Sequence, residues 1–93
     1  MERAYTGLIH KDPESDYGVS FPDLPGCISA GRTVEEAREM AAEAIALHLE
    51  TLEAYGEEIP EPSSADTVLA HPDARDALAL LVVEAMPAPA EIA

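Results

Sequence analysis

From Tyr17 the chain alternates apolar and small or polar positions: Tyr17, Val19 and Phe21 against Gly18, Ser20 and Pro22. A period of two predicts a half-buried strand. The preceding AYTGLIHK, residues 4–11, mixes small, aromatic and β-branched residues and predicts another strand. DPESD between them carries Pro13 and Asp16, residues suited to a turn, so the two strands form a hairpin. PDLPG makes the next turn, and Cys27 to Gly31 a short third strand. Pro22 ends the second strand because it lacks the donor that a ladder needs. Pro25–Gly26 has the residue order of a type II turn, whose third position requires positive φ. Pro22, Pro25 and Gly26 are therefore structural turn residues.

The period changes at Thr33. T-V-E-E over residues 33–36 is a capping box, with the Thr hydroxyl taking one orphan N–H and a Glu reaching back for another. A helix is predicted from Val34 to about Tyr55, with Gly56 as its stop. At about 100° per residue, Val34, Ala37, Ala41, Ile45, His48, Leu52 and Tyr55 share one face. Glu35, Glu36, Glu39, Glu43, Glu50 and Glu53 gather on the opposite side. Met40, Ala44 and Leu47 form a flank beside the apolar stripe and widen it beyond what one sheet face needs. EEIPEPSS reads as a linker, and Ser64 as the cap of a short helix over Ala65 to Ala70. HPDARDA adds another turn. ALALLVVEAM, residues 77–86, is a nearly unbroken apolar run whose length and valine pair predict a buried central strand. The pattern as a whole is α+β: a single small β-β-β-α-(α)-β domain over residues 1–86, followed by a Pro/Ala-rich tail over residues 87–93.

Composition narrows the function classes. At 93 residues and 47% hydrophobic content, the chain can build one modest core. No apolar run approaches the roughly 20 residues of a membrane span, so no membrane partner is expected. The N-terminus meets charges too soon for a signal peptide. A single cysteine forms no internal disulfide, which fits a reducing cytoplasm. Five Lys and Arg face nineteen Asp and Glu, a formal net charge of −14. Such a surface repels a phosphate backbone, so no direct nucleic-acid binding is expected. It serves solubility or complements a basic partner, and charge alone does not choose.

Catalytic and metal chemistry find little support in the pattern. Asp12, Glu14, Asp16 and Gly18 alternate as in a calcium loop, but the sixth and twelfth positions are Tyr17 and Asp23 instead of Gly and Glu. His10, His48 and His71 lack ligand spacing. His48 reads as a hydrogen-bonded core or boundary histidine and His71, before Pro72, as exposed. Cys27 as a nucleophile would need His10 as its base; a buried small hydrophobe is the plainer reading. The glycines are scattered singly, without a phosphate loop. No cofactor, metal or catalytic residue is expected.

The order of motifs carries more. HKDPESDYGVSFPDLPGCISAGRTVEEA, an acidic helix with LHLE, and then EEIPEPSS together closely resemble the HicB antitoxin family over residues 4–86. The resemblance implies a partial ribonuclease-H-like fold without nuclease activity. It also implies a partner, the HicA toxin, a small basic ribonuclease that cleaves messenger RNA and is neutralised when its active site is covered or distorted. A ribonuclease-H-type nuclease needs carboxylates converging on metal ions, one of them in the first strand; AYTGLIH contains none. Many HicB proteins also carry a C-terminal DNA-binding segment. Here the Pro/Ala tail reaches Ala93 without a basic helix or further strand, so operator binding is not carried over. The expected toxin contacts are Glu39, Glu43, Glu50 and Leu24, and the expected homo-oligomer interface is Met40, Ala44 and Leu47. The alternatives are a stand-alone oligomeric module, or a divergent metal-dependent nuclease using Asp12, Asp16 and Asp23.

Overall fold

Alternate residues of the first strand serve two different layers. The structure, a computed structural model, describes residues 3–85, so the Pro/Ala-rich tail expected at 87–93 lies outside the described residues. Its strands are β1 (Ala4–Lys11), β2 (Tyr17–Ser20), β3 (Ile28–Gly31) and β4 (Ala79–Glu84), and its helices α1 (Val34–Ala54) and α2 (Ala65–Leu69), the latter followed by a 3-10 turn at Pro72–Asp76. All pairings are antiparallel and the spatial order is β3-β2-β1-β4. Tyr5 and Ile9 of β1, Val19 of β2, and Leu81 and Val83 of β4 meet Ala37, Ala41 and Ile45 of α1 in one core. Leu8 points to the other face, where α2 lies against β1 and buries Val68.

One strand departs from expectation. β4 is an edge strand, not a buried central one: Leu81 and Val83 are buried while Ala79, Val82 and Glu84 are exposed. It joins the free side of β1 and pairs from Ala4↔Glu84 to Ile9↔Ala79. The strand covered on both faces is β1, buried continuously from Tyr5 to Ile9. Thr6 and Gly7 within it dilute the hydrophobic signal that such a strand usually carries.

The helix is anchored as its sequence predicts. Thr33 Oγ1 accepts the Glu36 N–H at 3.0 Å. Glu36 reaches one residue further back than the usual box, accepting the Arg32 N–H at 2.8 Å. At the far end Gly56 has φ of 67°, and the Glu57 and Gly56 N–H groups return to Leu52 O and Glu53 O, closing a Schellman motif. Only Ala37, Ala41 and Ile45 of the predicted apolar face are buried; Tyr55 is 76% exposed. The reason is length. A helix of 21 residues overhangs strands of four residues, about 31 Å against about 13 Å.

The Arg32 N–H, and then the Arg32 charge, hold the Glu36 carboxyl below the ordinary glutamate range. A depressed folded-state value means that Glu36 stabilises the fold above its unfolded pKa. That contribution is lost as pH falls through the folded value. Glu36→Gln should therefore flatten the acid limb of the melting-temperature profile. Superimposable acid limbs for variant and wild type would show that the capping carboxylate contributes nothing.

Candidate interaction surface

Two consecutive turns build the corner that links the sheet to its surroundings. Leu24 N–H donates to Phe21 O and Cys27 N–H to Leu24 O, each at 2.9 Å. Gly26 has φ of 90°, as the type II reading of Pro25–Gly26 requires. The turns drive Leu24 inward to 0% exposure. That corrects its place among the toxin contacts: Leu24 is a core residue and presents no surface. Between the prolines, Asp23 grips the linker through Ser63, accepting the Ser63 hydroxyl at 2.6 Å and the Ser63 N–H at 2.7 Å. Nearby the Tyr5 hydroxyl donates to Pro60 O at 2.6 Å, and Arg3 pairs with Glu61 at 3.4 Å. Burial pushes the Tyr5 hydroxyl pKa up, against the opposing pull of Arg3. The sequence reading treated EEIPEPSS as a passive linker and missed this clasp. Its one signal was the place of EEIPEPSS in the order of motifs that carried the family resemblance.

Glu39, Glu43 and Glu50 are all exposed. At about 100° per residue they lie opposite Ala41, on the ridge of α1 that faces away from the sheet. Glu39 and Glu43 also line an open groove along the β4 edge, together with Arg38, Ala42, Val82, Val83 and Glu84. Arg38 crosses this groove and donates to Val82 O at 2.8 Å. On the other flank, Met40, Ala44 and Leu47 line a groove beside Ile28, Ser29 and Ala30 of β3. Leu47 is 65% exposed and Ile28 70%. The sequence reading named the helix side of this flank but not Ile28, which only the sheet topology brings next to it.

The remaining candidates do not assemble into a reactive centre. Cys27 sits in the core, where burial raises its thiol pKa. His10 is on the opposite face of the sheet, its Nε2 3.2 Å from Ser20 Oγ, so it cannot serve Cys27. Asp12 and Asp16 lie at the hairpin turn, whereas Asp23 follows the far end of β2 with both carboxylate oxygens engaged by Ser63. Among the described residues no three His, Cys, Asp or Glu side chains converge as metal ligands, and no helix is long and apolar enough to cross a membrane. His48 is half-buried in the groove below Leu47. His71 is half-buried rather than exposed, its Nδ1 accepting the Asp73 N–H at 3.1 Å.

A four-stranded antiparallel sheet carrying one long helix defines a small α+β domain whose grooves lie along the two helix flanks. The family model for the HicB-like antitoxin of bacterial toxin–antitoxin systems matches residues 5–89, and the chain belongs to that family. The crystal structure of the antitoxin HicB of Burkholderia pseudomallei is 37% identical with a TM-score of 0.74, covering 89% of this chain and 61% of that one. A chain of the HicA3 and HicB3 toxin–antitoxin complex is 31% identical with a TM-score of 0.73, covering 90% of this chain and 99% of that one. An uncharacterised 14.9 kDa protein of Haemophilus phage HP1 is 39% identical over 66 residues, which is 71% of this chain and 50% of that protein. The chain thus spans about half to three fifths of the length of the phage protein and the Burkholderia antitoxin.

Proposed function

We propose that this domain is a non-enzymatic antitoxin that binds a HicA-type toxin, a small basic ribonuclease, and masks its active site. The observation that carries this reading is the match to a chain of a solved toxin–antitoxin complex over 99% of that chain. The charge supports it: at −14 the domain is the electrostatic counterpart of a protein built to hold RNA. Such a toxin works on messenger RNA, so the reading places the domain in the cytoplasm. It also carries the expectations of a partial ribonuclease-H-like fold and of a homo-oligomer formed through Met40, Ala44 and Leu47.

The direct test mixes purified domain with a HicA-type ribonuclease from the same genome and follows RNA cleavage. Cleavage should fall to the background level at an equimolar ratio. Undiminished cleavage at tenfold molar excess would overturn the assignment. The ridge makes a finer prediction. Replacing Glu39, Glu43 and Glu50 with Gln removes three charges and leaves the core face intact. Association with the toxin should slow roughly tenfold at low ionic strength, with a smaller change in dissociation, and the difference should fade with salt. Equal association rates at low salt would sink the electrostatic mechanism and leave the antitoxin assignment standing.

A further inference from the structure

The two edges of the sheet differ in charge, and the difference decides what can dock on each. The Ala85 N–H donates to Arg3 O, which extends the ladder register of Ala4↔Glu84 and Tyr5↔Val83. Odd-numbered residues of β4 therefore bond to β1, and even-numbered ones point their backbone groups outward. Carried through the registers of β1, β2 and β3, the same parity turns the N–H and C=O groups of Ile28 and Ala30 to the open side of β3. The β4 edge is guarded: Arg38 occupies Val82 O, and Glu39, Glu43 and Glu84 stand around it. Charged side chains at an edge are how proteins discourage strand addition.

Among the described residues the β3 edge has no such guard. Cys27 to Gly31 carries no charged residue. The helix flank above it offers Met40, Ala44, Leu47, His48 and Thr51, with Glu43 at one rim. Two copies of a chain with a net charge of −14 repel one another except where acids are absent, and this uncharged strip is such a place.

We propose that β3 pairs antiparallel with β3 of a second copy of this chain across a twofold axis, joining the two sheets into one. The outward parity allows a register in which Ile28 stands opposite Ala30 of the partner subunit and Ser29 lies near the axis, which pairs both outward residues of the strand. Ile28 is then covered on its side of the sheet, and Met40 and Leu47 approach their symmetry mates on the other, an isologous contact. The inference deepens the oligomer reading, on which it rests, and is independent of the toxin reading.

Sedimentation and amide exchange of the purified domain test it. The wild type should sediment at twice the chain mass, with slow exchange at Ile28 and Ala30 and fast exchange at the guarded-edge amides of Leu80 and Val82. Ala30→Pro removes an outward N–H without touching the β2 ladder and should sediment at the chain mass while staying folded, its melting temperature lowered only by the stabilisation that association gave. Leu47→Glu should do the same from the helix side, and it decides the matter if the proline variant fails to fold. A monomeric wild type would overturn both this pairing and the oligomer reading. A wild-type dimer with fast Ile28 and Ala30 amides, or one that persists in the folded variants, would overturn the pairing alone.

Discussion

Gly31→Val should destabilise the domain by about 3 kcal/mol, lowering its melting temperature by roughly 10–20 °C. A Cβ at this position would stand 2.4 Å from the Ala37 nitrogen and 2.8 Å from both Ala37 Cα and the Glu36 carbonyl carbon. All three are backbone atoms of the first turn of α1, so no side chain can swing aside. The helix would have to lift from β3, taking Ala37 and Ala41 out of the core. Ser29 Oγ would lose its bond to Ala37 O, now 3.2 Å. Gly18→Ala is the control, since its nearest neighbour is a backbone oxygen at 4.0 Å. Calorimetry on the pair decides: equal melting temperatures for Gly31→Val and Gly18→Ala would mean that α1 does not sit against β3 as described.

The second large effect is expected at Asp23. Asp23→Ala removes the acceptor for both the Ser63 hydroxyl and the Ser63 N–H. Hydrogen bonds to a charged group are worth about 1.5–3 kcal/mol, and the half-buried N–H left behind loses its partner. A loss of about 2 kcal/mol should follow, with a local signature. The Ser63 amide should exchange faster, and the chain over residues 57–63 should become a preferred site of proteolysis. Asp23→Asn keeps one acceptor and should fall between the two. An unchanged Ser63 exchange rate would show that the linker is held by Tyr5 and Arg3 alone.

Asp23 and Gly31 mark where sequence reasoning stopped. FPDLPG was read as punctuation, and in the structure it forms two consecutive turns with Gly26 at positive φ. That the aspartate between the prolines also holds a serine 40 positions away follows from no local rule. Gly31 looked like one scattered glycine among five. Its necessity comes from the backbone of α1, which no pattern within β3 reveals. The candidate interaction surface was legible in part. Periodicity correctly set Glu39, Glu43 and Glu50 on one ridge and Met40, Ala44 and Leu47 on a flank. It could not say that the ridge borders the β4 edge, that the flank borders Ile28, or that Leu24 is buried.

The sequence by itself determined the elements, the capping of α1 at Thr33 and Gly56, the family, and the acidic character of the outer helix face. These depend on residues within a few positions of one another, or on motif order, and both are written along the chain. Tertiary structure decided which strand is central. The run at residues 77–86 is the more apolar, yet β1 is buried on both faces because α1 and α2 cover it from opposite sides, while β4 joins only its free side. It also decided which edge is guarded: Arg38 and Val82 are 44 positions apart and meet only because β4 returns beside β1. Burial and edge exposure are properties of what packs against a segment, and a segment's own hydrophobicity does not contain them.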